Sequence, residues 1–389
     1  MVDSSRDTVT HLMDKAWLKI QSGAFSYQDA IYDAVSELAA NGITKVTYAS
    51  GRTDWADVAV RRAVMTGISQ TAGRMQLDLA AEMDCDLVEV TAHMGARPSH
   101  AMWQGKVYSI SGKTKKYPKL SVATGYGTGA GLKGWNCRHD FYPFFEGLSK
   151  RANMPVDIAE SNKQYALSQR QRAMERTIRA SKRRLAALDG AISAADDEQL
   201  KINLQKQFDK HSAILKEKEK RLDEFCADND LFPENDRVRV VGFGKSVSQK
   251  AVHGNKKYLA KKLDKSIIDG TIDSKEYSEM LEKRTVIDKD SLDSNHKALP
   301  KTGKAHSIVD LVENGKVVQR RIYGSDKQAL VDFDTTDHGK PKYHKTYAHK
   351  HIWNYKNKPS RSSSGAIKDS ELEMNNDIIR RGENYFDDK

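Results

Sequence analysis

Residues 88–148 read VEVTAHMGARPSHAMWQGKVYSISGKTKKYPKLSVATGYGTGAGLKGWNCRHDFYPFFEGL, and this stretch decides the fold. Neither the alternation of a half-buried strand nor the spacing of an amphipathic helix runs through it. Gly125, Gly127, Gly129, Gly131 and Gly134 give the backbone a freedom at positive φ that other residues reach only at a cost. Trp103, Trp135, Phe141, Tyr142, Phe144 and Phe145 supply the apolar area to pin that backbone down. The segment reads as an irregular, self-packed clasp that recognises something and holds no reaction centre.

On the N-terminal side, two helices are expected, broken near Ser22-Gly23-Ala24. The first carries Val9, Leu12, Met13, Trp17 and Ile20 on one face. The second starts at a Ser26/Asp29 capping pair and turns Ile31, Ala34, Val35 and Leu38 inward. A helix from Asp54 to about Met83 follows, with a stripe of Val58, Arg62, Met65, Ile68, Ala72 and Met75. Short strands are expected at 46–48, 87–91 and 106–110.

On the C-terminal side, glycine almost vanishes between Asn162 and Asn229. Stripes of Ile178, Leu185, Leu188 and Ile192, then Leu200, Leu204, Phe208, Ile214, Leu215 and Leu222, predict a coiled-coil-like helical hairpin turning near Ala194–Glu198, with one long solvated helix as the alternative. Val238–Phe243 reads as a strand, and 245–297 as a charged linker with short helices. Alternation over Ser307–Glu313, the Asn314-Gly315 turn signal and Val317–Tyr323 predict a hairpin. Leu330–Asp334 and Tyr347–Trp353 are further strand candidates. The fold class is therefore α+β. A helix-rich first domain with short strands and a Gly/aromatic clasp spans 1–150, and the hairpin spans 151–230. The linker covers 231–300, a small, mostly antiparallel β-rich module 301–360, and a polar tail 361–389.

A chain of 389 residues has room for two or three domains. Its net charge of +11 favours contact with DNA or RNA through phosphates, without sequence specificity, and equally fits solvated helices. Three cysteines without a CxxC pair imply neither a disulfide framework nor a zinc finger, which fits a reducing compartment. No apolar run approaches a membrane span, and the first residues are not a signal sequence. No cofactor is expected. The alternating glycines from Gly125 are not flanked as a dinucleotide fingerprint requires, and no Gly-Lys-Ser/Thr closes them.

Two groups of side chains could carry chemistry. In the clasp, His93 and His100 could return to Cys137 and His139, but a closed zinc site needs about four ligands in tetrahedral array. The preferred reading is that these groups hydrogen-bond the irregular backbone, whose buried amides all need partners, so no metal is expected. Arg97 and Arg138 could tie loop carbonyls together or hold a phosphate. In the C-terminal module, His338, His344, His349 and His351 lie close in sequence. Histidine passes protons near neutral pH. His349 or His351 with His338 could act as base and acid on RNA, with Lys345, Lys350 or Arg320 as the cation. Strand alternation puts His349 and His351 on one face, and Asp332 and Asp334 on one face, which makes a zinc or manganese site a second possibility there. The blander reading is a basic, histidine-rich surface.

The clasp region resembles the phage minor capsid protein 2 family, relatives of the Mu F-like head morphogenesis proteins. The matching pieces are Ala92–His100, Trp103–Tyr108, Gly125–Gly129 and Gly134–His139, with Arg61–Gly67 and Asp84–Asp86 upstream. The resemblance covers roughly 30–225. It implies a structural protein of a tailed-phage or prophage head, present in few copies and located in the virion after assembly in the host bacterial cytoplasm. Its implied partners are portal and capsid proteins in an oligomeric assembly, and it could leave the head with the DNA. Family members usually carry a longer helical region before the segment matching Ser26–Ala40, so the resemblance also implies a shortened N-terminus. The C-terminal module is similar to small modules that end some phage head proteins and polymorphic toxins. There an Asp-x-Asp strand precedes a Gly-containing loop and a His-x-His-x-Trp strand. That likeness implies the alternative, a phage-borne effector with a metal-independent ribonuclease-like toxin module.

Overall fold

A computed structural model of the chain describes residues 2–292, 298–336 and 348–379. The fold is α+β, as expected. It divides into two compact units, Met1–Ala251 and Val252–Lys389.

In the first unit, α1 (Val2–Gln21), α2 (Tyr27–Ala40) and α3 (Ala56–Glu82) share a core of Leu12, Ala16, Ala30, Leu38, Val60 and Val64. The Ser26 hydroxyl caps α2 by accepting the Asp29 N–H at 3.1 Å. Between α2 and α3, β1 (Lys45–Thr47) pairs antiparallel with β2 (Thr53–Trp55). The expected stripe on α3 is displaced: Met65 and Met75 are exposed, and the buried face is Ala56, Ala59, Val60 and Val64. Small side chains let neighbouring groups come close. A Cβ on Gly73 would meet the Lys133 side chain at 3.1 Å.

β3 (Leu87–Val90) is the centre of a three-stranded antiparallel sheet between β4 (Val107–Ser109) and β5 (Phe141–Pro143). Two short helices, α4 (Pro98–Ala101) and α5 (Leu120–Thr124), interrupt the connections. Val88, Val90, Trp103, Tyr108, Leu120, Leu132 and Phe141 form the core beneath. After the clasp the chain is stitched back onto β3. The buried Glu89 carboxylate accepts from Arg151 Nε at 2.7 Å and from the N–H groups of Ala152 and Asn153 at 3.0 and 3.1 Å.

The hairpin is α6 (Ile158–Ala194) and α7 (Glu198–Asp228), closed over Ile178, Leu185, Phe208, Leu215 and Leu222. Asp157 and Asp197 cap its two helices. The strand expected at Val238–Phe243 does not form: a 3-10 turn covers Asn235–Val238 and the rest has no strand partner. Val238 and Phe243 pack on the hairpin instead, and Arg179 Nη1 satisfies the Arg237 carbonyl at 2.5 Å.

The stretch expected to be a linker of short helices carries the 25-residue α8 (Lys245–Asp269), within which the unit boundary falls. α9 (Ser274–Glu282) and β6 (Thr285–Asp288) follow. The second unit is built on a sheet with order β10-β9-β8-β7-β6. Its other strands are β7 (Ile308–Glu313), β8 (Lys316–Tyr323), β9 (Ala329–Asp334) and β10 (His349–Ile352). All pairs are antiparallel except β6 with β7. The β7–β8 turn places Asn314 at φ 52° and Gly315 at φ 75°, the backbone that an Asn-Gly hairpin favours. Residues expected as a polar tail return to this sheet. Gly365 bridges to Lys350, and α10 (Asp369–Met374) brings Glu371 against the buried Lys350 ammonium. Buried charges on the sheet need opposite partners, and the tail supplies them.

Candidate functional site

The clasp is assembled from three pieces of chain. Pro98 starts α4, which directs His100 inward and leads into Trp103 and Gln104. The glycine loop then folds so tightly that a Cβ on Gly131 would lie 2.1 Å from the Gly125 carbonyl oxygen. One on Gly134 would lie 2.5 Å from that of Gly129. Residues 137–139 lead into β5 and carry His139 into the centre, where it is 2% exposed.

His139 stacks on His93 with ring centroids 4.3 Å apart and meets Trp103 edge-on at 4.8 Å. Its Nε2 lies 2.9 Å from Gln104 Oε1, and its Nδ1 lies 3.6 Å from Cys137 Sγ. His100 Nε2 lies 2.9 Å from the Ala130 carbonyl, and His93 Nδ1 3.0 Å from that of Met94. Burial first, then the nearby His93 and His100, push His139 down to about 3. Burial likewise lowers His100, against the Ala130 hydrogen bond. Both rings are neutral at physiological pH. His93 and His100 each set one ring nitrogen against a backbone carbonyl. Arg97 Nη2 donates to the Trp135 carbonyl at 3.0 Å, whereas Arg138 and Trp135 are exposed.

In the second unit, β9 and β10 pair His349 with Asp334 and His351 with Asp332. The two imidazoles share a face, their centroids 4.9 Å apart, and their Nε2 atoms stand 3.7 and 3.4 Å from Asp334 Oδ2. Asp332 accepts from Arg321 at 2.7 and 2.8 Å, from Arg361 at 3.0 Å and from the Trp353 indole at 2.9 Å. Arg361 also pairs with Asp334. Burial, then the Arg361 charge, lowers the pKa of His351. His338 and Lys345 lie outside the described residues. Arg320 is not available as a phosphate-binding cation. It is fully buried, and its five N–H groups are directed at Asp310, Asp377 and Asn375. Lys350 is likewise committed, to the Ile268 carbonyl and to Glu371.

Residues 1–227 match the family described as phage minor capsid protein 2. The chain belongs to that family. The match takes in the clasp and the hairpin and stops before the second unit. The structural protein of Lactococcus phage LL-H is 29% identical over 167 residues, covering 41% of this chain and 45% of the relative. The structural protein of Lactococcus phage mv4 is 39% identical over 57 residues, 15% of this chain and 46% of the relative. The chain thus spans a little under half the length of the curated relatives it matches. No solved structure matches.

Two residues that complete these clusters escaped the sequence reading. Gln104 carries no signal of its own beside Trp103. Arg361 sits between Lys356-Asn357-Lys358-Pro359-Ser360 and Ser362-Ser363-Ser364, a stretch that resembles a solvated tail. A cation beyond two aspartates spaced for one strand face was the available cue.

Proposed function

We propose that this family member is a minor component of a tailed-phage or prophage particle. In this reading its clasp docks on portal or capsid-interior proteins, and the protein assists head assembly and early DNA delivery. The observation that carries the reading is the clasp's inside-out division of labour. Its ionisable rings point inward and are bound, whereas Met94, Met102, Val122, Trp135 and Leu148 are exposed. Apolar side chains exposed in such number on one segment favour a contact surface over a reaction centre. Trp135, at 59% exposed, is the natural anchor, since tryptophan is enriched among residues that dominate binding. The phage structural proteins it resembles support a virion location, and the net charge of +11 is compatible with packaged DNA nearby. Quantitative mass spectrometry of purified particles, before and after DNA release, tests this. The expected result is a few copies per particle; particles lacking the chain would refute the reading.

A second reading, a ribonuclease-like effector module in Val252–Lys389, is favoured by one observation. Asp332, Asp334, His349, His351 and Arg361 converge there. Incubating the full chain with RNA tests it. Cleavage abolished by His349→Ala and His351→Ala supports the module; intact RNA removes it.

A further inference from the structure

The hydrogen bonds of the clasp fix which nitrogen of each imidazole carries the proton. Gln104 Oε1 accepts the backbone N–H of His93 at 3.0 Å, which sets the orientation of that amide. His139 Nε2, 2.9 Å from the same oxygen, must therefore be the donor. His100 Nε2 and His93 Nδ1 each face a backbone carbonyl and donate as well. A neutral imidazole has one proton, so the bonds of His139 and His100 leave lone pairs on Nδ1 of each ring. Nε2 of His93 is buried with no hydrogen-bond partner.

These lone pairs have company. One ligand atom from each of His100, Cys137 and His139 lies within 4.8 Å of the other two. Zinc bonds nitrogen at about 2.0–2.1 Å and sulfur at about 2.3 Å, so two tetrahedral ligands of these types stand about 3.6 Å apart. The observed separation of Cys137 Sγ and His139 Nδ1 is 3.6 Å. An oxygen acceptor on His139 Nε2, the nitrogen away from Cys137, is the arrangement that orients a histidine ligand around a metal. The nearby carboxylate is otherwise engaged, since Asp140 pairs with Lys133 at 2.6 Å.

We propose that His100, Cys137 and His139 bind a zinc ion that staples the clasp. Nitrogen and thiolate ligands without carboxylate suit zinc better than magnesium or calcium. Binding replaces the thiol S–H bond with S–Zn and releases the proton to solvent. At His139 the hydrogen-bonded Nε2 and the Nδ1 beside Cys137 are opposite nitrogens of one ring, so both roles hold together there.

The test loads the full chain with zinc and, separately, with cobalt(II). Zinc at a one-to-one ratio and a thiolate-to-cobalt charge-transfer band in the near ultraviolet are expected. Cys137→Ser should lose the band, and Cys226→Ser, at a buried cysteine in the hairpin core, should keep it. A cobalt-loaded wild-type chain without the band overturns the proposal even if Cys137→Ser fails to fold. So does a band that is lost with Cys226→Ser and not with Cys137→Ser.

Discussion

Arg320 and Asp310 face each other across β8 and β7 in a two-bond fork, Nε to Oδ1 and Nη2 to Oδ2, each at 2.8 Å. Asp377 and Asn375 take the rest of the guanidinium, so one side chain ties two strands to the segment after α10.

Arg320→Met should therefore destabilise the second unit by about 3–5 kcal/mol, because it leaves the buried Asp310 carboxylate with only the part-exposed Arg284 at 3.3 Å. Equilibrium urea denaturation, followed by the signal of Val252–Lys389, measures this. A loss below about 1 kcal/mol, the range of an exposed pair, would mean that the fork is not load-carrying.

Two glycines predict opposite signs. Gly131→Ala drives a Cβ into the Gly125 carbonyl and should cost at least about 1–3 kcal/mol of first-unit stability. Gly190 lies in α6 with nothing within 4 Å of an added Cβ. Gly190→Ala should stabilise the hairpin by about 0.5–1 kcal/mol. Thermal melts of the two variants decide the matter, and equal shifts of the same sign would refute the close-packed loop.

The sequence was most legible where a period was long enough to count. The alternation of 308–313 and the Asn314-Gly315 turn were plain, and so was the hairpin seam of Ile178, Leu185, Phe208 and Leu215. β2 and β5 span three residues each, too few for alternation to stand out, and β6 exists only because β7 lends it a parallel edge. The α3 stripe was misread because Ala59 and Gly73 carry the close contacts and look neutral beside Met65 and Met75. In the clasp, the histidines and cysteine announced themselves, whereas Gln104 acquires its role only when folding sets it between His93 and His139. Arg361, Glu371 and Asp377 looked like solvated charges because the buried Asp332, Lys350 and Arg320 they pair with are remote in sequence.

Two imidazoles, one in each unit, should contribute to stability with opposite pH dependence. His306 Nε2 lies 2.9 Å from Asp264, and that hydrogen bond, against opposing burial, raises the imidazole above its usual 6.5. The resulting stability is complete below pH 6.5 and fades as pH rises through the folded-state value. His139 is the reverse case: burial, then His93 and His100, push it to about 3. The unfolded chain takes up that proton first, so without bound metal first-unit stability falls as pH drops from the usual 6.5 toward about 3. Denaturation midpoints measured from acid to mildly alkaline pH should show both trends, with His306→Gln removing the alkaline one. Flat midpoints for both units would count against the assigned contacts.

Trp135 offers the most direct test of the docking role. Its indole is largely exposed, so Trp135→Ala should leave the melting curve of the chain nearly unchanged. Phage carrying this allele should assemble particles that contain several-fold less of the protein, counted by mass spectrometry against the major capsid protein. Particles that incorporate the variant at the wild-type copy number would contradict the clasp as the docking element.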